Sequence, residues 1–176
     1  MYQILKKIAT TGIVTEAPPP LDAAVRAEVG RINDELLAIL GQALAIRQVD
    51  AGSCNGCELE IHALTNPYYN IEGLGIRFVA SPRHADMLLV TGPLTLNMRE
   101  ALYRTYAATP APKWVVAVGD CAINGGAFAG SYAVANGIGE AVPVDLTIAG
   151  CPPEPEQLLS GLLTLLEASS RAPPAV

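Results

Sequence analysis

The pattern of apolar and polar positions changes character once along the chain. From Leu21 the apolar residues Leu21, Val25, Val29, Ile32, Leu36, Ile39 or Leu40, and Ala43 recur at steps of three and four, with Asp22, Arg26, Glu28, Arg31, Asp34 and Glu35 between them. This spacing keeps one side of a helix apolar and predicts an amphipathic helix over 21–45, packed on its own domain or on another subunit. Beyond Gln42, short apolar runs at 46–49, 76–79, 87–90, 114–118 and 144–148 are each released into a Gly- or Pro-containing loop, and they read as strands. The intervening segments 58–64, 98–108 and 154–168 read as helices, the last with Leu158, Leu159, Leu162, Leu163 and Leu166 on its core side.

Strands alternating with helices predict a parallel sheet covered on both faces, a doubly wound α/β domain, flavodoxin-like in outline. The expected layout is an N-terminal arm over 1–20, the amphipathic helix over 21–45, the α/β domain over 46–168 and a tail over 169–176. The arm carries little regular pattern and ends in Pro18, Pro19 and Pro20, which favour extended backbone. The Gly-, Ala- and Ser-rich stretch 125–139 reads as loop with one short helix.

Composition narrows the function. A chain of 176 residues with 51% hydrophobic content can bury one good core. Seventeen acidic residues against eleven basic give a net charge of −6, which leaves no basic field for nucleic acid. The apolar runs 87–90 and 114–118 fall far short of the ~20 residues a spanning helix needs. The first twenty residues show no long apolar core, no small-residue cleavage site and no twin arginine, so a cytoplasmic chain is expected. In a reducing compartment the four cysteines are metal ligands, redox groups or small buried hydrophobes rather than disulfides.

Each cysteine lies just past the carboxyl end of an expected strand: Cys54 and Cys57 after 46–49, Cys121 after 114–118, Cys151 after 144–148. In an open α/β sheet these ends share one crevice, so thiols remote in sequence can meet. Gly52, Gly56, Gly119, Gly125, Gly126 and Gly150 let the loops turn tightly and approach a bulky inorganic centre. Four thiolates can hold a [4Fe–4S] cubane, one to each iron, or a single tetrahedral zinc. A structural zinc site typically shows two close Cys pairs, whereas Cys121 and Cys151 are split between two strand ends. Cys151 also runs into Pro152, a step found in iron–sulfur ligand runs, and this favours a cluster. A thioredoxin-like pair at Cys54 and Cys57 would leave Cys121 and Cys151 unexplained, and four unrelated buried thiols stay as the plain alternative.

Four motifs together carry a resemblance: Asp50-Ala-Gly-Ser-Cys54-Asn-Gly-Cys57-Glu-Leu-Glu60-Ile, Ser81-Pro-Arg-His-Ala-Asp86-Met-Leu-Leu-Val-Thr-Gly92-Pro, Gly119-Asp-Cys121-Ala-Ile-Asn-Gly-Gly126 and Gly150-Cys151-Pro-Pro-Glu-Pro. In order and spacing the chain resembles the small subunits of energy-converting (group 4) [NiFe] hydrogenases and formate hydrogenlyase. That family also contains the 20-kDa iron–sulfur subunit of respiratory complex I. The likeness runs from about Val49 to Leu166. Complex I subunits carry two adjacent cysteines in the first motif, and Cys54 and Cys57 instead match the Cys-x-x-Cys of the hydrogenase branch. The resemblance implies that Cys54, Cys57, Cys121 and Cys151 hold the proximal [4Fe–4S] cluster and relay single electrons to or from a Ni–Fe centre. That centre would lie in a partner large subunit, since this chain keeps only His62 and His84 beyond the four thiols. It further implies ferredoxin-like iron–sulfur partner subunits, a membrane arm, and a place on the cytoplasmic side of the inner membrane. A complex I-type subunit delivering electrons to quinone is the alternative within the family, and a zinc-stabilised scaffold the alternative outside it.

Other residues have two readings. Glu58 and Glu60 open an expected helix, where carboxylates suit the helix dipole, or they form a proton path beside the cluster. Arg83 and His84 are cations able to raise a cluster's potential, or they make surface and partner contacts. Asp120 lowers that potential if it points inward, or it caps its loop through backbone amides. His62 reads as a packing or interface residue, and Tyr68 and Tyr69 as partner contacts or lid packing.

Overall fold

The computed structural model describes residues 2–11 and 43–171. Five strands, β1 (Leu44–Asp50), β2 (Ile76–Phe78), β3 (Met87–Thr91), β4 (Trp114–Val118) and β5 (Leu146–Ile148), form one sheet in the order β2-β1-β3-β4-β5. Every pair is parallel. This is the flavodoxin order, with its switch point between β1 and β3. The register aligns Val49 with Val90 and Val90 with Ala117, so the carboxyl ends come out level on one side.

The helices are α1 (Tyr2–Thr11), α2 (Gly56–Ala63), α3 (Leu96–Ala108), α4 (Gly119–Asn124) and α5 (Pro155–Arg171). β3 is buried at all five positions, as expected of a central strand covered on both faces. On one face Leu44, Ile46, Met87, Leu89, Val116 and Val118 pack against Ile61 and Leu64 near α2 and Leu158, Leu162 and Leu166 of α5. On the other face Val49, Leu88, Val90, Val115 and Ala117 meet Leu94, Leu102 of α3, Ala122 of α4 and Ile138. At the amino ends, the Asp86 carboxylate accepts the Ala45 N–H (2.9 Å) and the Asp145 carboxylate accepts the Val115 N–H (2.7 Å). Their own amides donate to the Ala45 and Val115 carbonyls at 2.8 Å, so each aspartate clamps the start of a neighbouring strand.

Several elements differ from the sequence expectation. Within the expected arm, residues 2–11 are helical rather than irregular, because Ile4 and Ile8 lie one helical turn apart and the prolines begin only at residue 18. The helix expected over 21–45 lies outside the described residues except at its end, where Leu44 and Ala45 open β1. Val144 falls before β5, which follows Pro143 only after Asp145 has made its clamp. A short helix, α4, carries Cys121 where loop was expected, and the stretch 125–139 holds the 3₁₀ turn Gly126–Phe128. The last helix continues to Arg171, into the expected tail. Among the described residues no helix is long and apolar enough to cross a membrane.

Candidate functional site

The loop leaving β1 is shaped by its own side chains. Asp50 Oδ1 accepts the N–H groups of Gly52 (2.7 Å) and Ser53 (2.6 Å), turning the chain as it leaves the sheet. Ser53 Oγ accepts the Asn55 N–H at 2.9 Å and donates to Glu58 Oε2 at 2.6 Å. Asn55 takes a left-handed conformation (φ 75°) that Asn tolerates, and α2 starts immediately after it. Cys54 is therefore held in the loop and Cys57 in the first turn of α2. Glu58, only 7% exposed, points into the protein, where Thr91 Oγ1 at the end of β3 donates to its Oε1. The Thr91 oxygen is also 3.3 Å from the Val49 carbonyl.

Glycine makes room for the sulfurs at two places. Gly119, at φ 83°, sits where a Cβ would stand 2.7 Å from Cys57 Sγ and 3.2 Å from the Gly150 carbonyl. Gly126, at φ 49°, sits where a Cβ would stand 2.8 Å from Cys121 Sγ. Pro152 and Cys54 Sγ flank the Cβ position of Gly56 at 3.9 and 3.6 Å, so the Cys54–Cys57 loop touches the segment after Cys151. The loops after β4 and β5 are tied directly: Asp120 N–H donates to the Gly150 carbonyl and Gly150 N–H to Asp120 Oδ1, both at 2.9 Å.

The four cysteines are free thiols, Cys57 and Cys121 buried and Cys54 and Cys151 exposed. Burial pushes the Cys57 thiol up to about 12, and Glu58, Cys121, Cys54 and Cys151 add to the rise through their charge. Burial also raises Cys121, partly offset by the Ala127 N–H, with Cys151 and Cys54 contributing again. Thiols from three strand ends thus act on one another, and the two buried ones, Cys57 and Cys121, are held back from ionising in the absence of a compensating positive charge. Among the described residues no three His, Cys, Asp or Glu side chains gather closely enough to hold a single metal ion. A cubane gives each thiolate an iron of its own and so spaces its ligands more widely than one zinc does.

The other sequence candidates divide by place. Asp120 lies beside Cys121 with its carboxylate used in the Gly150 clasp, the loop-capping alternative of the sequence reading. Glu60 is half-buried and His62 exposed on α2. Tyr68 and Tyr69 make an edge-to-face pair with centroids 4.9 Å apart, and Tyr69 packs on the core. Burial raises the Tyr69 phenol, with Glu156 adding to the effect. Arg83 and His84 stand apart: they occupy the 3₁₀ turn Pro82–His84 before β3, exposed at the amino end of the sheet, away from the cysteine loops. A motif contiguous with β3 suggested proximity, but its two cations enter the strand at one end while its Thr91 leaves at the other. Thr91 and Ser53 are the residues that sequence reasoning missed. A Thr ending an all-apolar strand, as in Met87–Thr91, was the available signal.

Comparison with known proteins fits this geometry. The chain is 42% identical over 133 residues to a probable membrane-bound hydrogenase subunit of Pyrococcus furiosus, covering 76% of this chain and 80% of that one. It is 40% identical over 156 residues to formate hydrogenlyase subunit 7 of Escherichia coli, covering 87% of this chain and 61% of the relative, which is therefore substantially longer. Among solved structures, a chain of the membrane-bound sulfane sulfur reductase, an archaeal respiratory membrane complex, superposes with a TM-score of 0.67 at 32% identity, over 80% of this chain and 77% of that one. The family described as NADH ubiquinone oxidoreductase, 20 Kd subunit, matches residues 54–165, a span that runs from the first cysteine through the last and includes every strand after β1. The chain belongs to that family of oxidoreductase-complex subunits.

Proposed function

We propose that this chain is the electron-transfer small subunit of a membrane-associated [NiFe] hydrogenase complex, with Cys54, Cys57, Cys121 and Cys151 holding one [4Fe–4S] cluster. The observation that carries the reading is the convergence of four free thiols from three strand ends, two of them against glycines that leave space for a bulky centre. The placing of Cys121 and Cys151 at two separate strand ends, rather than as a second close pair, supports a cubane over the zinc-stabilised scaffold. When bound, such a cluster accepts and donates one electron at a time. The protein's part is positional: Asp50 and Ser53 set the first loop, the Asp120–Gly150 clasp sets the other two, and burial of Cys57 and Cys121 keeps water from one side. Glu58, beside Cys57 and hydrogen-bonded by Ser53 and Thr91, is the group of this chain placed to hold a proton next to the thiols.

The Cys-x-x-Cys spacing at Cys54 and Cys57 and the likeness to hydrogenase subunits support the hydrogenase assignment. The Ni–Fe centre would belong to a partner large subunit, with ferredoxin-like subunits delivering electrons and a membrane arm anchoring the complex, this chain lying on the cytoplasmic face. The complex I-type reading, electron delivery to quinone, is the second reading, supported by the 20 Kd-subunit description of the matching family.

Anaerobic purification followed by iron, sulfide and zinc analysis and EPR of the dithionite-reduced protein tests the cluster. About four irons and four sulfides per chain with a fast-relaxing S = 1/2 signal is the expected result. Zinc without sulfide overturns it. Nickel in the co-purified complex, with two Cys-x-x-Cys pairs in the large subunit, distinguishes the hydrogenase from the quinone-reducing form. Glu58→Gln is expected to lower hydrogen turnover with the cluster signal unchanged.

A further inference from the structure

Helix α1 buries none of its residues: Ile4, Leu5 and Ile8 are 65%, 60% and 63% exposed. At about 100° per residue these three fall on one arc of the helix, with Gln3, Lys6 and Thr10 opposite and Tyr2 and Lys7 at the two borders. A ten-residue helix is marginal in water unless its apolar face is covered. Its charge selects the cover. Lys6 and Lys7 are its only charged side chains, so a segment of +2 belongs to a chain of −6, and the complement it calls for is anionic. Aliphatic residues on one face, with Tyr and Lys where that face meets the polar one, are the arrangement of a helix lying in a bilayer interface.

We propose that α1 lies flat on an anionic bilayer surface, Ile4, Leu5 and Ile8 entering the acyl boundary, Lys7 at the border meeting lipid phosphates and Lys6 adding to the attraction from the water side. The inference rests on the membrane-complex reading only to bring the chain to a bilayer. It gives a subunit without a spanning helix among its described residues a direct lipid contact of its own.

The test is the partition of the full chain onto vesicles of phosphatidylcholine with a quarter phosphatidylglycerol, against phosphatidylcholine alone, measured by sedimentation across lipid concentrations. Partition is expected to be stronger on the anionic vesicles by about fivefold per lysine. Lys6→Glu combined with Lys7→Glu abolishes that difference, and Ile4→Asp combined with Ile8→Asp abolishes binding to both. Because α1 buries nothing, both double variants keep the wild-type unfolding temperature. Equal partition of wild type and the Ile4→Asp, Ile8→Asp variant overturns the proposal. So does a wild type that ignores both vesicles while that variant falls away from its complex in co-purification, which would place the face on a protein. Iron content of the same samples is read in parallel: a chain that binds vesicles without a cluster sinks the electron-relay reading alone, and a clustered chain that ignores lipid sinks this one alone.

Discussion

Asp120 and Gly150 hold each other by two hydrogen bonds of 2.9 Å, one through the Asp120 amide and one through its carboxylate. Each residue immediately precedes a cysteine, so the pair fixes the distance between the Cys121 and Cys151 loops. Asp120→Ala removes the carboxylate acceptor and leaves the Gly150 N–H without it, at a cost of about 1–3 kcal/mol. Denaturant unfolding of the metal-free chain should show that loss, and the purified protein should retain less iron. Asp120→Asn keeps an oxygen in place and should recover most of both.

Gly119→Ala adds a methyl group 2.7 Å from Cys57 Sγ at a backbone angle of φ 83°. The left-handed conformation alone costs about 1–2 kcal/mol. The displaced sulfur should make the fall in iron content larger than the fall in stability suggests. Gly139→Ala, where an added Cβ meets nothing within 4 Å, is the matched control and should change neither measurement.

Serine at any one of the four cysteines should lower the iron and sulfide bound per chain. In the metal-free protein the four diverge. Cys57→Ser and Cys121→Ser place a hydroxyl in buried surroundings and should reduce the unfolding temperature, while Cys54→Ser and Cys151→Ser, on exposed positions, should leave it nearly unchanged.

Most of the sheet could be read from the chain, because runs such as 87–90 and Trp114–Val118 are apolar without interruption, too short for a helix and released into Gly- or Pro-containing loops, the pattern of strands covered on both faces. The convergence of the cysteines followed from their placing after strands in a parallel sheet. Contacts made only by folding were not legible. Nothing local in Thr91 indicates that its hydroxyl meets Glu58, 33 residues earlier, whereas the place of Arg83 and His84 at the amino end of the sheet does follow from their standing just before the 87–90 run. Helix α4 escaped notice because it is six residues long and opens on a glycine at positive φ, two features that read as loop.

Thr91→Val deletes the buried hydroxyl that donates to Glu58 Oε1 while preserving shape. A loss of about 1–3 kcal/mol in unfolding free energy is expected, since the carboxylate keeps only Ser53 as its side-chain donor. Thr91→Ser should restore most of it.

The raised Tyr69 phenol makes an alkaline prediction. A group that binds its proton more tightly folded than unfolded stabilises the fold below its unfolded value of 10, and that contribution is lost as pH rises from there through the folded value. Thermal unfolding followed from pH 8 upward should fall less steeply in Tyr69→Phe than in the wild type above about pH 10.

The separation of the ligands along the chain orders their assembly. A nascent chain ending near Gly126 already carries Cys54, Cys57 and Cys121, but Cys151 takes its place only once β5 has paired with β4 and the Gly150 amide has found Asp120. Parallel pairing closes long loops and comes late in folding. On the ligand set proposed above, a partly synthesised chain therefore offers three of the four thiols, and the set would close only in molecules whose last strand is docked.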